Sequence, residues 1–141
     1  MKPVDQSRFG ATEGDCFTAC VASILELTIE QVPRFCAPTS TDWWSWFLDW
    51  CSNRDLVVGY GRPGDLGPWW YTYRSRFDWT AAEWDLAPPP GYAILTGTSP
   101  RYVSTGGKHA VVTLDGELVH DPRVGDRRGV LDVYDWITIT R

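Results

Sequence analysis

The sequence predicts an α+β fold, with helices in the first third of the chain and an antiparallel sheet in the last third. Two apolar segments, 16–27 and 43–51, have residues at helical spacing. From residue 91 onward the chain instead has short apolar runs, two of which flank an Asp115-Gly116 pair that is a strong hairpin signal. The length of 141 residues suits one compact domain, so we expect 1–141 to be a single domain.

The first helix is predicted to begin at Cys16, directly after Asp15. The apolar residues that would bury one face of this helix are Phe17, Val21, Ile24 and Leu25. We expect Asp15 to be the N-cap, with its carboxylate accepting backbone N–H groups of the first turn. Free N–H groups and the helix dipole favour an anion here, and a thiolate is such an anion. Cys16 is therefore a candidate nucleophile; the alternative is a small buried apolar residue, the commoner role of helix cysteines.

The segment between the first helix and the sheet predicts three further elements. Residues 28–33 read as a short helical turn, and 43–51 as a second helix capped by Thr41 or Asp42. Residues 56–60 predict a short strand.

Residues 61–90 are rich in glycine, proline and aromatic residues, and they end in three consecutive prolines. We interpret them as a long ordered loop or insertion that lies over the core, with a possible role as a lid. The exposed-looking run 69–71 (Trp-Trp-Tyr) could grip a peptide or a protein partner. Burial between a small core and its insertion is the commoner role of tryptophan, and we favour it.

The hairpin between 109–114 and 117–120 decides which side chains meet at the end of the predicted sheet. A two-residue turn at 115–116 would place His109 and Asp121 on opposite faces. A three-residue loop at 114–116 would place the two side chains directly opposite each other. That loop needs glycine at its third position, and the chain has one there, so we predict the three-residue loop.

A nucleophilic cysteine requires a base, and the base requires a group that fixes its tautomer. His109 opens a strand and gains Asp121 as a carboxylate partner in the predicted register, so we favour His109 as the base. His120 is the competing base and belongs to the two-residue register. Cys20, one turn after Cys16, could be a resolving thiol, although a core position is the expected role.

The polar arm 1–13 contributes one further candidate, Gln6. A side-chain amide near a nucleophile can donate a hydrogen bond to a developing oxyanion. A glutamine on the surface is the alternative, and from the sequence we favour that alternative.

Composition argues against several classes of function. The formal net charge of -5 disfavours a nucleic-acid or anionic-membrane surface. The N-terminus lacks the apolar core of a signal peptide, and no stretch approaches the length of a membrane span. We therefore expect a cytoplasmic protein with reduced cysteines. The cysteines form no CxxC pair and both histidines lie far downstream, so we expect no metal site and no cofactor.

Three short motifs together resemble a known family. Asp-Cys at 15–16, His-Ala-Val-Val at 109–112 and Val-His-Asp-Pro at 119–122 look like the papain-like cysteine peptidase fold in its short bacterial or phage form. The bacteriocin-leader (double-glycine) peptidase domains of export ATPases are similar relatives. The resemblance covers 1–36 and 91–125, and the tryptophan-rich middle matches nothing in that family.

The resemblance implies Cys16 as nucleophile, His109 as base and Asp121 as the residue that orients the base. Two departures limit what it implies. The glutamine of the oxyanion site lies closer to the cysteine in that family than Gln6 does here. Phe17 replaces the glycine that follows the cysteine in the leader peptidases, so their substrate preference does not transfer.

The function expected from these residues is thiol-dependent hydrolysis of a peptide or isopeptide amide through an acyl-enzyme intermediate. The substrate would be a peptide or protein, and the oligomeric state is left open. A transferase that uses an amine in place of water would need the same three residues. A non-catalytic module that binds a protein through the aromatic segment is the alternative from a different class. A cell-wall hydrolase is disfavoured by the missing export signal.

Overall fold

The computed structural model describes residues 1–9, 14–37, 42–62 and 68–141. Within these ranges the chain forms two α-helices, two short 3₁₀ turns and seven strands. The helices are α1 (Cys16–Leu25) and α2 (Trp43–Ser52), and the 3₁₀ turns are Ile29–Gln31 and Val103–Thr105. The strands are β1 (Val57–Arg62), β2 (Trp69–Ser75), β3 (Asp78–Glu83), β4 (Tyr92–Thr98), β5 (Lys108–Leu114), β6 (Glu117–His120) and β7 (Val133–Thr140). The predicted α+β class is confirmed.

The described strands form one antiparallel sheet with the order β3-β2-β1-β7-β4-β5-β6. The last strand, β7, lies between β1 and β4 and joins two sets of three sequential strands. Strands β1 and β4 are therefore neighbours of the C-terminal strand and not of each other. No helix in the described ranges combines the length and the apolar character that a bilayer crossing needs.

The two helices pack against the sheet at different places. α1 contacts β5 and β4, whereas α2 contacts β2 and β1. The apolar side chains at the centre of the core, all buried, come from both layers: Val21, Phe35, Phe47, Val58, Ile94, Val112 and Ile137. Asp42 caps α2 by accepting a hydrogen bond from the Ser45 backbone N–H at 3.2 Å. Thr41, the other predicted cap, lies outside the described residues.

Phe47 lies at the centre of an aromatic cluster and has no exposed surface. Its ring centroid lies 5.2 Å from that of Phe17 and 5.3 Å from that of Phe35, both in edge-to-face geometry. We expect Phe47→Ala to lower the free energy of unfolding by about 3–5 kcal/mol, because the cavity would lie between α1 and α2. Urea denaturation measures this change, and Phe77→Ala, at a ring that is 81% exposed, is the matched control.

The aromatic segment is part of the sheet, so the predicted loop over 61–90 is wrong for most of the described residues. Residues 69–75 and 78–83 form strands that extend the sheet beyond β1, and 63–67 lie outside the described residues. Aromatic residues favour strands when neighbouring strands and helices give them packing surfaces. Here Tyr73 packs against Trp44 of α2, with ring centroids 5.8 Å apart.

The predicted three-residue hairpin loop is also wrong. Leu114 pairs with Glu117, which leaves Asp115 and Gly116 as a two-residue turn. Both turn residues have positive φ, at 49° and 87°. This conformation is typical of the two-residue turn that matches strand twist, and an Asp-Gly pair is among its preferred sequences.

A β-bulge next to this turn places His109 and Asp121 on the same side of the sheet, as the predicted loop would have done, although not directly opposite each other. Thr113 pairs with Leu118, but Val112 pairs with His120, so Val119 is an extra residue in β6. The bulge shifts the register by one residue. Continued past the end of β6, this register places Asp121 on the side of the sheet that carries His109. A one-residue shift exchanges the two faces of a strand, and without the bulge these side chains would point apart.

Candidate active site

His109 and Asp121 form a buried pair at the end of the β5–β6 hairpin. The His109 Nε2 atom lies 2.7 Å from Asp121 Oδ1, and the two side chains are only 3% and 1% exposed. The Asp121 carboxylate also accepts backbone N–H groups from Arg123 at 3.0 Å and from Gly129 at 2.7 Å. Burial alone would raise the pKa of Asp121, but His109 and these N–H groups outweigh it and lower that pKa. The carboxylate is therefore ionised at neutral pH and fixed in direction.

The three hydrogen bonds to Asp121 lead to a prediction for Asp121→Asn. The Oδ2 atom accepts the Gly129 N–H, so an amide oriented to keep the His109 bond would direct its NH₂ group at another donor. We expect a loss of about 1–3 kcal/mol in the free energy of unfolding, measured by urea denaturation. Asp132→Asn, at an exposed carboxylate, should change stability by less than about 0.5 kcal/mol.

Cys16 lines the cavity together with His109, and its side chain contributes to the raised pKa of that ring. Asp121 occupies Nε2, so Nδ1 is the ring nitrogen left for the sulfur. Burial of the ring would lower the pKa of His109, but hydrogen bonds to Asp121 and Cys16 raise it to about 9. The imidazole is thus positioned to carry a proton next to the sulfur. The structure brings together the three predicted residues: Cys16, His109 and Asp121.

The Asp15 side chain does not cap α1, and the N-cap hydrogen bond predicted for it is wrong. Its carboxylate instead accepts hydrogen bonds from the Ser7 backbone at 2.9 Å, the Ser7 hydroxyl at 2.6 Å and the Arg8 backbone at 3.0 Å. These donors belong to the N-terminal arm, which the sequence alone could not place near Asp15. The first-turn N–H groups of α1 are consequently left without the Asp15 carboxylate beside Cys16.

Gln6 is buried, at 6% exposure, so the surface position favoured from the sequence is wrong. Its backbone N–H donates to the Pro122 carbonyl at 3.0 Å, next to Asp121. Its side-chain Nε2 donates one hydrogen bond to the Arg8 carbonyl at 2.8 Å, which leaves the second hydrogen of the amide for another acceptor. Gln6, Cys16 and His109 line the same cavity.

The two other candidates from the sequence, His120 and Cys20, contact the N-terminal arm and the core. His120 Nε2 lies 2.9 Å from the Val4 carbonyl oxygen and 3.7 Å from Asp5, so this ring holds the N-terminal arm. Cys20 is fully buried in the core, where burial raises its pKa well above the usual range. It is therefore a packed thiol and not a resolving one. Burial likewise raises the pKa of Cys51 to about 12.

The cavity beside Cys16 has a volume of about 900 Å³ and extends along the helix-facing side of the sheet. Cationic residues on the β5 and β6 side of its lining are Arg101, Lys108 and Arg123. Arg101 pairs with Asp126 at 3.3 Å. None of the described residues between 61 and 90 lines the cavity, so the described part of the aromatic segment does not cover it as a lid.

The far end of the cavity contains three residues that were not candidates from the sequence. Trp44 of α2, Tyr60 of β1 and Asp135 of β7 line it, and the Tyr60 hydroxyl donates to Asp135 Oδ1 at 2.8 Å. Burial and the neighbouring carboxylate raise the pKa of Tyr60 well above its usual range, so the hydroxyl remains a donor. The signal in the sequence is an aspartate between two aromatic residues of β7, Tyr134 and Trp136.

The described residues contain no group of three or more His, Cys, Asp or Glu side chains that could bind a metal ion.

The chain was also compared with protein-family models, curated proteins and solved structures, and nothing matches it. The chemistry of the site therefore has to be inferred from its own geometry.

Proposed function

We propose that this protein is a thiol-dependent hydrolase with a papain-like fold that cleaves a peptide or isopeptide amide. The observation that carries the proposal is the His109 ring, which is hydrogen-bonded to the Asp121 carboxylate, interacts with Cys16 and lines a large cavity with it. Nucleophile, base and orienting carboxylate are the components of a catalytic triad. A cysteine at the start of a helix that packs on the strand carrying the histidine supports the proposed fold.

The proposed reaction begins with the Cys16 thiolate and the His109 imidazolium. The sulfur attacks the amide carbon, and the carbonyl π electrons move onto oxygen. His109 gives its Nδ1 proton to the departing nitrogen as the C–N bond breaks, which leaves an acyl-enzyme. His109 then takes a proton from water as the water oxygen attacks the thioester, and the carboxylic acid leaves with Cys16 regenerated. Asp121 accepts the Nε2–H throughout and fixes the ring.

The oxyanion of the tetrahedral intermediate has two candidate donors. The backbone N–H of Cys16 lies in the first turn of α1, where helix N–H groups lack intrahelical partners. The second amide hydrogen of Gln6 is the other donor, since Gln6 lines the cavity with Cys16. Preorganised donors of this kind stabilise charge that develops only in the transition state.

Gln6→Glu tests this donor with a side chain of nearly the same shape. A carboxylate has no hydrogen to donate and would repel the oxyanion, so we expect kcat to fall by about 10²–10³-fold. The measurement is kcat for a peptide that the wild-type protein cleaves. Gln31→Glu makes the same change at an exposed glutamine outside the cavity and should leave kcat within about twofold.

The central experiment uses an electrophilic amide mimic followed by peptide mapping. A peptide aldehyde or acyloxymethyl ketone should modify Cys16 in preference to Cys20, Cys36 and Cys51. A peptide mixture incubated with the protein should show new termini by mass spectrometry. Absence of cleavage together with modification of the other cysteines at equal rates would contradict the proposal.

The proposal extends to the molecule that accepts the acyl group and to the cellular location of the protein. An amine in place of water would give a transferase, and adding an amine to the peptide mixture would reveal amide products in place of acids. We place the protein in the cytoplasm, which agrees with four cysteines that are all free thiols.

A second candidate function is supported by the exposed aromatic residues at the β3 edge of the sheet. Phe77, Trp79 and Trp69 are 81%, 53% and 38% exposed. A non-catalytic module could bind a protein through this surface. Such a module would bind its partner equally well after Cys16→Ala and would lose binding after Trp79→Ala. The hydrolase would instead lose cleavage after Cys16→Ala and retain it after Trp79→Ala.

A further inference from the structure

The end of the cavity remote from Cys16 has walls of aromatic rings and one carboxylate. The Trp44 and Tyr60 ring centroids lie 5.0 Å apart, and those of Trp43 and Trp44 lie 5.5 Å apart. Asp135 is partly buried beside them and receives the Tyr60 hydroxyl. Apolar rings next to a carboxylate suit a cationic side chain, because the stem packs on the rings while the charge meets both π faces and an anion.

The Asp135 carboxylate forms no direct ion pair within the part of the chain that the structure describes, although the charge of Arg62 acts on the neighbouring Tyr60. No Lys, Arg or His side chain described there lies within ion-pair distance of this carboxylate. The cationic lining residues Lys108 and Arg123 belong to the β5 and β6 side of the sheet. Asp135 lies on β7, with β4 between it and β5. Lys108 and Arg123 thus lie on the β5 and β6 side of the cavity, and the Asp135 carboxylate lies on its β7 side.

The distance from the strand that carries the proposed base to Asp135 follows from the strand order. Ala110, next to His109, pairs with Thr96, and Thr96 pairs with Asp135. All three residues line the cavity. Two strand spacings separate Ala110 from Asp135, which is roughly 10 Å. An extended Lys or Arg side chain, or a short stretch of peptide, spans such a distance.

We propose that the Trp44–Tyr60–Asp135 end of the cavity binds a cationic side chain, lysine-like or arginine-like, of the substrate cleaved at Cys16. This inference rests on the proposed function and adds the class of substrate. The guanidinium or ammonium group would pair with the Asp135 carboxylate, whose direction the Tyr60 hydroxyl fixes. Substrates with a neutral or acidic residue at this position would leave the carboxylate desolvated without a partner, and the site would reject them.

A tethering experiment tests the proposal without requiring turnover. Chloroacetamides carrying a guanidinium on an alkyl linker are compared with neutral ureas of the same lengths, with linkers that span roughly 6 to 12 Å. Rates of Cys16 alkylation are measured by mass spectrometry and divided by the rate for iodoacetamide. At the best length we expect the guanidinium compound to react about tenfold faster than the urea in the wild-type protein.

The variants locate the effect. Asp135→Asn should bring the guanidinium-to-urea ratio close to one, whereas Asp78→Asn, which removes an exposed carboxylate on β3, should leave it unchanged. A wild-type ratio near one at every length would overturn the inference, as would a ratio that survives Asp135→Asn. A failure of the proposed hydrolase function would be seen in different measurements. Iodoacetamide would then label Cys16 no faster than Cys36, and no peptide cleavage would be detected.

Discussion

Replacing Cys16 with alanine is expected to lower the rate of amide cleavage by at least about 10⁴-fold, because no acyl-enzyme can form without the sulfur. Alanine is well tolerated in the first turn of a helix, and Cys16 is only partly buried, so the fold should persist. The measurement is kcat/KM for a peptide that the wild-type protein cleaves, together with the urea midpoint of both proteins.

Cys36→Ala is the matched control, because Cys36 lines the same cavity. Desolvation of its thiol, with a contribution from Cys16, raises the pKa of Cys36 to about 12, so this thiol remains protonated at neutral pH. We expect Cys36→Ala to retain cleavage within a fewfold of wild type. If Cys36→Ala lost activity while Cys16→Ala retained it, the assignment of the nucleophile would be wrong.

His109→Gln is expected to lower kcat by about 10³-fold, because proton transfer to the leaving nitrogen and from water would lose its acid and base. Glutamine can still donate a hydrogen bond to Asp121, which limits the structural damage. His120→Gln makes the same substitution at a ring that hydrogen-bonds the Val4 carbonyl and does not line the cavity. Its kcat should stay within a fewfold of wild type, and a larger loss there than at His109 would reverse the choice of base.

The His109→Gln variant also tests how the stability of the protein depends on pH. The pKa of His109 is raised from 6.5 to about 9 in the folded protein, so the folded state holds this proton more tightly than the unfolded state does. The stabilisation is fully present below about pH 6.5 and is lost as the pH rises through about 9. It amounts to roughly 3 kcal/mol.

Urea unfolding at pH 6 and at pH 9.5 measures this contribution. The free-energy difference between wild type and His109→Gln should be largest at the lower pH and should shrink by roughly 3 kcal/mol at the higher one. Comparing the two proteins at each pH cancels the titration of the other groups. A difference that stayed constant with pH would show that His109 forms no ion pair in the folded protein.

The sequence predictions that the structure confirms concern helix starts and the hairpin, which are set by residues close to each other in the chain. The start of α1 at Cys16 follows from apolar spacing, and the start of α2 after Asp42 follows from apolar spacing and the Asp42 cap. The position of the hairpin follows from Asp115-Gly116. Such features are local, so residue type and spacing are sufficient to find them.

The contacts between distant segments could not be predicted in the same way. Asp15 lies next to the backbone N–H donors of the first turn of α1. Its carboxylate nevertheless accepts hydrogen bonds from Ser7 and Arg8, because packing of the N-terminal arm brings them to it. The strand at 69–75 pairs with β1 and packs against α2, and the strand at 78–83 pairs with it in turn, where the local composition of glycine and proline indicated a loop. The partners of Asp15 lie seven and eight residues away, outside the helix that it precedes, and the partners of the strands lie in other elements, so neither set follows from the local pattern.

Residue types and spacing were enough to predict the α+β class, the helix that begins at Cys16, and His109 and Asp121 as candidates. How these side chains meet depends on the folded sheet. The bulge at Val119 reverses the face that the two-residue turn would have imposed, and the pairing of β1 with β7 brings Tyr60 to Asp135. The physical reason is that a one-residue change of register exchanges the two faces of a strand, and register depends on packing across the whole sheet.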